Sequence, residues 1–219
     1  VVEFGREATV AVISDHGAQA MEGGIAINEW LRREGYLALR EPPGPGLVPL
    51  SQVEIDWEHT RAWGAGGYYG RVFLNVQGRE PRGVIPPERY QAVRQELAMR
   101  LEALPGPDGR PLGTRVFEPE AVYACCRNVP PDLIVYFGNL AWRSVGSLGL
   151  DDVYTLENDT GPDDANHGPD GVFILYDPRR QWRGELVGMT YLDVAPTLLD
   201  VLGLPGAGLM RGKSVIPNT

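Results

Sequence analysis

A chain of 219 residues, 43% hydrophobic and 22% charged, has enough apolar material to bury a core and reads as one substantial globular domain. Its formal charge of −9 and pI near 4.9 speak against a nucleic-acid polymer as partner, because neutralising phosphates requires clustered Lys and Arg. An anionic substrate would need a local positive centre, which a metal ion supplies.

No run reaches the ~20 apolar residues of a membrane span, and no signal-peptide pattern opens the chain. The 28 glycines and 19 prolines lead us to expect long irregular connections. Lys213 is the single lysine, a poor basis for Schiff-base chemistry. Cys125 and Cys126 are adjacent and support neither a disulfide framework nor a Cys-based zinc site, so reduced structural thiols and a cytoplasmic protein are expected. Residue 1 is Val and a strand follows within a few residues, so the chain is expected to be the C-terminal portion of a longer protein, with any targeting signal upstream.

The run from Ala8 to Ile13 is apolar and β-branched, which predicts a buried strand of a parallel sheet. It closes on Ser14-Asp15-His16-Gly17. Open α/β sheets place ligands beyond the carboxyl ends of strands, and an Asp oxygen beside a His nitrogen suits a zinc-like divalent ion. A turn with Asp15 on backbone and His16 in solvent is the other reading of so short a motif. A helix is predicted over 27–34, with Asn28 as a possible cap, Trp30 and Leu31 inward, and Gly35 as the stop. Tyr36 to Leu39 reads as a short strand. Glycine and proline then dominate 41–46 and glycine 64–70, so about 41–70 reads as a surface excursion.

A strand resumes over 71–76, followed by Arg79 and Glu80, which could contact a substrate phosphate or form an ordinary surface pair. Pro86-Pro87-Glu88 opens a helix running to about Leu104, with Tyr90, Val93, Leu97 and Leu101 in one apolar stripe. Further strands are predicted over 132–137 and 171–176. A helix is predicted over 192–202, with Asp193 as cap and Gly203 as stop. Strands alternating with helices predict an α/β fold.

Of the other histidines, His59 lies in the irregular stretch, whereas His167 sits just before the last strand, where two strand-end loops could converge. Asp163 and His167 have Asp-x₃-His spacing, but Pro162, Gly168 and Pro169 argue against the helix that would pair them.

Taken in order, several segments resemble one branch of the alkaline phosphatase superfamily, the type I phosphodiesterase/nucleotide pyrophosphatase-like or predicted phosphohydrolase and phosphomutase branch. They are Asp15-His16-Gly17, the segment from Ile27 to Leu37, that from Gly70 to Pro81, Pro131 to Val135, His167-Gly168 with Asp170 to Ile174, Asp193 to Leu199, and Met210 to Lys213. The resemblance implies a mixed sheet flanked by helices, here a partial domain lacking its N-terminal half. It also implies two divalent metal ions, zinc in the phosphodiesterase relatives and manganese in the phosphoglycerate-mutase relatives. Asp15 and His16 would bind one and His167 the other. The family's Thr or Ser nucleophile and its Asp-x₃-His pair would precede Val1, in the N-terminal half of the same polypeptide.

The activity implied is metal-dependent hydrolysis of a small phosphate ester or nucleotide, with the isolated chain inactive. Mutase chemistry in the same superfamily is the alternative. A third reading is a binding module that offers Trp57, Trp63, Tyr68 and Tyr69 to a partner.

Overall fold

A computed structural model describes residues 7–157, 159, 164–180 and 182–216. In chain order it contains β1 (Val10–Ile13), β2 (Gly17–Ala20), β3 (Gly23–Ala26), α1 (Ile27–Arg33), β4 (Ala62–Ala65), β5 (Gly70–Leu74) and α2 (Tyr90–Glu102). There follow β6 (Arg115–Phe117), α3 (Pro119–Val122), β7 (Leu133–Tyr136), β8 (Trp142–Val145), β9 (Tyr154–Thr155), β10 (Ala165–Gly168), β11 (Phe173–Tyr176) and α4 (Val194–Val201). The fold is mixed α/β, as the alternation predicts. No helix among the described residues is long and apolar enough to cross a membrane.

The chain divides into two compact units, one taking Ala18–Gly168 and the other the residues up to Gly17 together with Pro169–Thr219. In the larger unit, an antiparallel sheet in the order β4-β5-β7-β6 and a second sheet in the order β8-β3-β9 share one core. The core is built from Ile27, Trp30 and Leu31 of α1, Val72 and Leu74 of β5, Val93, Leu97 and Leu101 of α2, and Leu133 and Val135 of β7. The apolar stripe of α2 is therefore buried as its spacing predicts. Pro87–Arg89 forms a 3-10 turn ahead of it, so the α-helix proper begins at Tyr90.

Trp30 and Leu31 face inward, and Gly35 ends α1 at φ +73°, where only glycine avoids the left-handed penalty. The Tyr36 amide donates to the Leu31 carbonyl and the Gly35 amide to that of Arg32, which satisfies the last turn. Asn28, however, caps nothing. It lies inside α1, fully buried, with Ala26 at the boundary. Its Nδ2 donates to the Gly64 and Gly146 carbonyls at 2.9 and 2.7 Å, and its Oδ1 accepts from the Gly64 amide at 2.8 Å. Because β3 runs directly into α1, the amide is inside the core, where β4 and the chain beyond β8 need the partners it offers.

Tyr36–Leu39 is not a strand. Tyr36 belongs to the helix stop, and the segment makes a single antiparallel bridge, Leu39 to Ile55. The stretch 41–70 is only partly an excursion, since Ala62–Ala65 forms β4, paired antiparallel with β5, and Ala62 is fully buried. Its glycines serve close approach: a Cβ on Gly66 would lie 2.5 Å from the Gly146 amide nitrogen. Trp57 meets Trp63 edge-on at 5.1 Å, Trp63 stacks on Phe73 at 5.6 Å, and Tyr69 packs 5.9 Å from Tyr136.

In the smaller unit the expected buried parallel strand is antiparallel: β1 pairs with β11, Val10 opposite Tyr176 and Ile13 opposite Phe173. Val12 is half-exposed. A short apolar run fits either situation, and periodicity alone does not separate them. Within the larger unit β3 runs parallel to β8 but antiparallel to β9. Asp193 also has a different role from the one expected. It sits at the third position of a capping box opened by Thr190, its carboxylate accepting from the Thr190 amide and hydroxyl at 2.8 Å each, while the other oxygen accepts from the Lys213 amide. Gly203, at φ +66°, ends α4 as predicted.

Candidate functional site

Asp15 and His16 follow directly from the end of β1. Ser14 extends the β1–β11 ladder by one step: its amide donates to the Val172 carbonyl at 2.9 Å, and its Oγ accepts from the Val172 amide at 2.7 Å. A Cβ on Gly171 would lie 2.9 Å from both Ser14 oxygens, so the two backbones meet here only because residue 171 is glycine. Past this clamp the Asp15 side chain is 73% and that of His16 46% exposed. Asp15 opens onto a cleft of about 1220 Å³ in the same unit, lined also by Ser14, Asp170, Val172, Trp182 and Tyr191.

The His16 Nδ1 lies 2.7 Å from the Gly17 carbonyl oxygen. A carbonyl only accepts, so this contact places a proton on Nδ1. Nε2 is 3.5 Å from Asp15 Oδ1. The two atoms offer a nitrogen and an oxygen donor side by side, and an imidazole oriented by a carbonyl on its other nitrogen is a usual arrangement for a metal ligand. The pair therefore fits a borderline divalent ion as two of its ligands. Among the described residues no group of three or more His, Cys, Asp or Glu side chains gathers into a larger set.

His167 belongs to the other unit, on β10, and is half-buried. Its carbonyl accepts from Gln19 Nε2 at 3.0 Å, its amide donates to Asn166 Oδ1 at 2.8 Å, and its ring lies 4.4 Å from the Tyr68 ring at 69°. Asp163 lies outside the described residues. His59 pairs with Asp56 at 2.8 Å on the surface, which holds the Asp56 carboxyl below its ordinary value, and Cys125 and Cys126 are free thiols.

Arg79 and Glu80 are bound into the protein. Arg79 reaches both oxygens of the buried Asp132 at 2.7 Å each, and also the Leu74 carbonyl and Glu80. Glu80 Oε2 accepts from the Val76 amide at 2.7 Å, and Tyr90 donates its hydroxyl to Asp132 at 2.7 Å. Hydrogen bonding to Asp132 raises the Arg79 guanidinium further above its ordinary range, and burial with the same carboxylate pushes the Tyr90 phenol up to about 12. This geometry ties the turn after β5 to the residue that leads into β7 and to the start of α2.

Sequence reasoning gave no site role to Gly171, Gln19 or Asn166, named Ser14 only as the start of the Asp-His motif, and named Tyr68 only as an aromatic offered to a partner. The signals were a small polar residue closing an apolar run and an amide preceding a histidine, both too common to separate from chance.

Fold and site together define a mixed α/β protein that presents an oxygen–nitrogen donor pair at a strand end. The chain belongs to the type I phosphodiesterase / nucleotide pyrophosphatase family, whose family model matches residues 3–170. Its general activity is thus that of a phosphoester hydrolase of this kind. No curated protein matches the chain.

Proposed function

We propose that the protein is a metal-dependent phosphoric ester hydrolase acting on a small phosphate ester or nucleotide, with Asp15 and His16 holding one divalent ion and His167 contributing to a second. The single observation that carries this reading is the 3.5 Å approach of His16 Nε2 to Asp15 Oδ1, with Nδ1 turned onto the Gly17 carbonyl. Zinc is the ion expected, and manganese its alternative.

Such an ion supplies Lewis acidity and lowers the pKa of a bound hydroxyl or water. The residues of this chain do the positioning. Ser14 and Gly171 fix the end of β1, so the Asp15 carboxylate enters with little backbone freedom. The Gly17 carbonyl selects the imidazole tautomer that can ligate. In a chain of net charge −9, a metal ion beside Asp15 would supply a local positive centre for an anionic phosphate, together with Arg183, which lines the same cleft. The family's hydroxyl nucleophile and its remaining ligands are assigned to no residue here.

The test uses the full-length polypeptide. Wild type should release nitrophenol from nitrophenyl phosphate mono- or diesters in an EDTA-sensitive way, and calorimetry with Zn²⁺ or Mn²⁺ should show weaker binding by His16→Ala. Matching isotherms for the two proteins, or turnover indifferent to chelation, would refute the proposal.

A further inference from the structure

We infer that Tyr68 is the positioning residue of His167, an inference that rests on the proposed ligand role of that histidine. The argument begins with backbone. Asn166, only 3% exposed, spends its whole amide on this corner: Oδ1 accepts from the His167 amide, while Nδ2 donates to the Tyr68 carbonyl at 3.0 Å and the Leu140 carbonyl at 2.7 Å. One buried side chain thus fixes the backbone of Tyr68 and of His167 relative to each other.

Gln19 completes the arrangement from β2, its Nε2 donating to the carbonyls of His167 and Asn139 at 3.0 Å each. Asn139 and Leu140 have left-handed backbone, φ 52° and 72°, which turns their carbonyls toward these two amides. Five backbone groups from three separate segments are therefore held by two side-chain amides. With the backbones fixed, the Tyr68 ring meets the imidazole edge-on at 4.4 Å, a favourable aromatic arrangement. The guanidinium of buried Arg143 also lies 6.0 Å from the Tyr68 ring centroid. An imidazole whose main chain and ring plane are both fixed by neighbours is preorganised, as metal ligands need to be.

The role is assigned to the ring, which is the part that meets the imidazole. Tyr68 is 42% exposed, so truncating it leaves the core in place. In the full-length protein, Tyr68→Leu should weaken Zn²⁺ binding about tenfold, the lower end of what outer-shell partners contribute, whereas Tyr68→Phe should bind as wild type does. Visible spectra of the Co²⁺-loaded protein provide a readout independent of activity, with the bands altered in Tyr68→Leu and restored in Tyr68→Phe. His167→Ala separates this inference from the reading beneath it. If His167→Ala weakens binding and Tyr68→Leu does not, the positioning role is refuted while the ligand role stands. If His167→Ala itself binds Zn²⁺ as tightly as wild type, the ligand role fails and the positioning role with it.

Discussion

Removing the Asp132 carboxylate should be among the most damaging single changes in the larger unit. Its side chain is 3% exposed and accepts four hydrogen bonds: one from the Leu74 amide at 2.6 Å, two from Arg79 and one from Tyr90. In Asp132→Ala the buried Leu74 amide is left without an acceptor, at about 1–3 kcal/mol, and the Tyr90 hydroxyl adds about 1 kcal/mol. Arg79 is 45% exposed and regains water, so its share falls to about 1 kcal/mol. The total of about 4 kcal/mol matches the ~3–5 kcal/mol typical of breaking one side of a buried pair. At a urea slope of about 2–3 kcal/mol/M the midpoint should drop by roughly 1.3–2 M with the slope unchanged. The companion variant Arg79→Lys keeps the charge but loses the fork, and should destabilise by about 1–2 kcal/mol while leaving KM alone. A midpoint shift below about 0.3 M for Asp132→Ala would refute the hydrogen-bond accounting. A raised KM in Arg79→Lys at unchanged stability would make Arg79 a substrate contact instead.

Asn28→Ala strips partners from the Gly64 amide and from the carbonyls of Gly64 and Gly146. It should cost about 3 kcal/mol. Differential scanning calorimetry should then show Tm falling by roughly 6–12 °C, and an unchanged Tm would contradict the clamp. Tyr90 is held as a phenol in the folded state, at about 12 against an ordinary 10. Its stabilisation is therefore complete below pH 10 and is lost as pH rises through 12. Urea midpoints measured from pH 9 to 12 should decline less steeply in Tyr90→Phe than in wild type, and parallel declines would be the contrary result.

Much of this was readable in the residues, and the reasons differ from place to place. The α2 stripe was legible because a period near 3.6 leaves one solution for Val93, Leu97 and Leu101, and the stops at Gly35 and Gly203 because a left-handed residue favours glycine. The Asp15-His16 pair was legible because an apolar run that closes on polar side chains marks a strand end. Asn28 misled because a short polar side chain near a helix start serves equally well as a cap or as a core clamp. Which one it is depends on Gly64 and Gly146, far away in sequence. The direction and burial of β1 were illegible for a related reason, since its partner β11 lies at the other end of the chain.

By itself, then, the sequence determined the α/β class, the positions of α1, α2, α4 and of the strands β1, β5, β7 and β11, the family, and the strand-end placement of Asp15 and His16, because each of these is written in local pattern or in ordered motifs. Only the tertiary structure decided that Arg79 and Glu80 serve Asp132 and the Val76 amide, that Asn166 and Gln19 fix the corner on which His167 sits, and that Tyr68 lies against its ring. Those assignments depend on where donors and acceptors from distant segments meet, and hydrogen bonds act over about 3 Å in space whatever the separation along the chain.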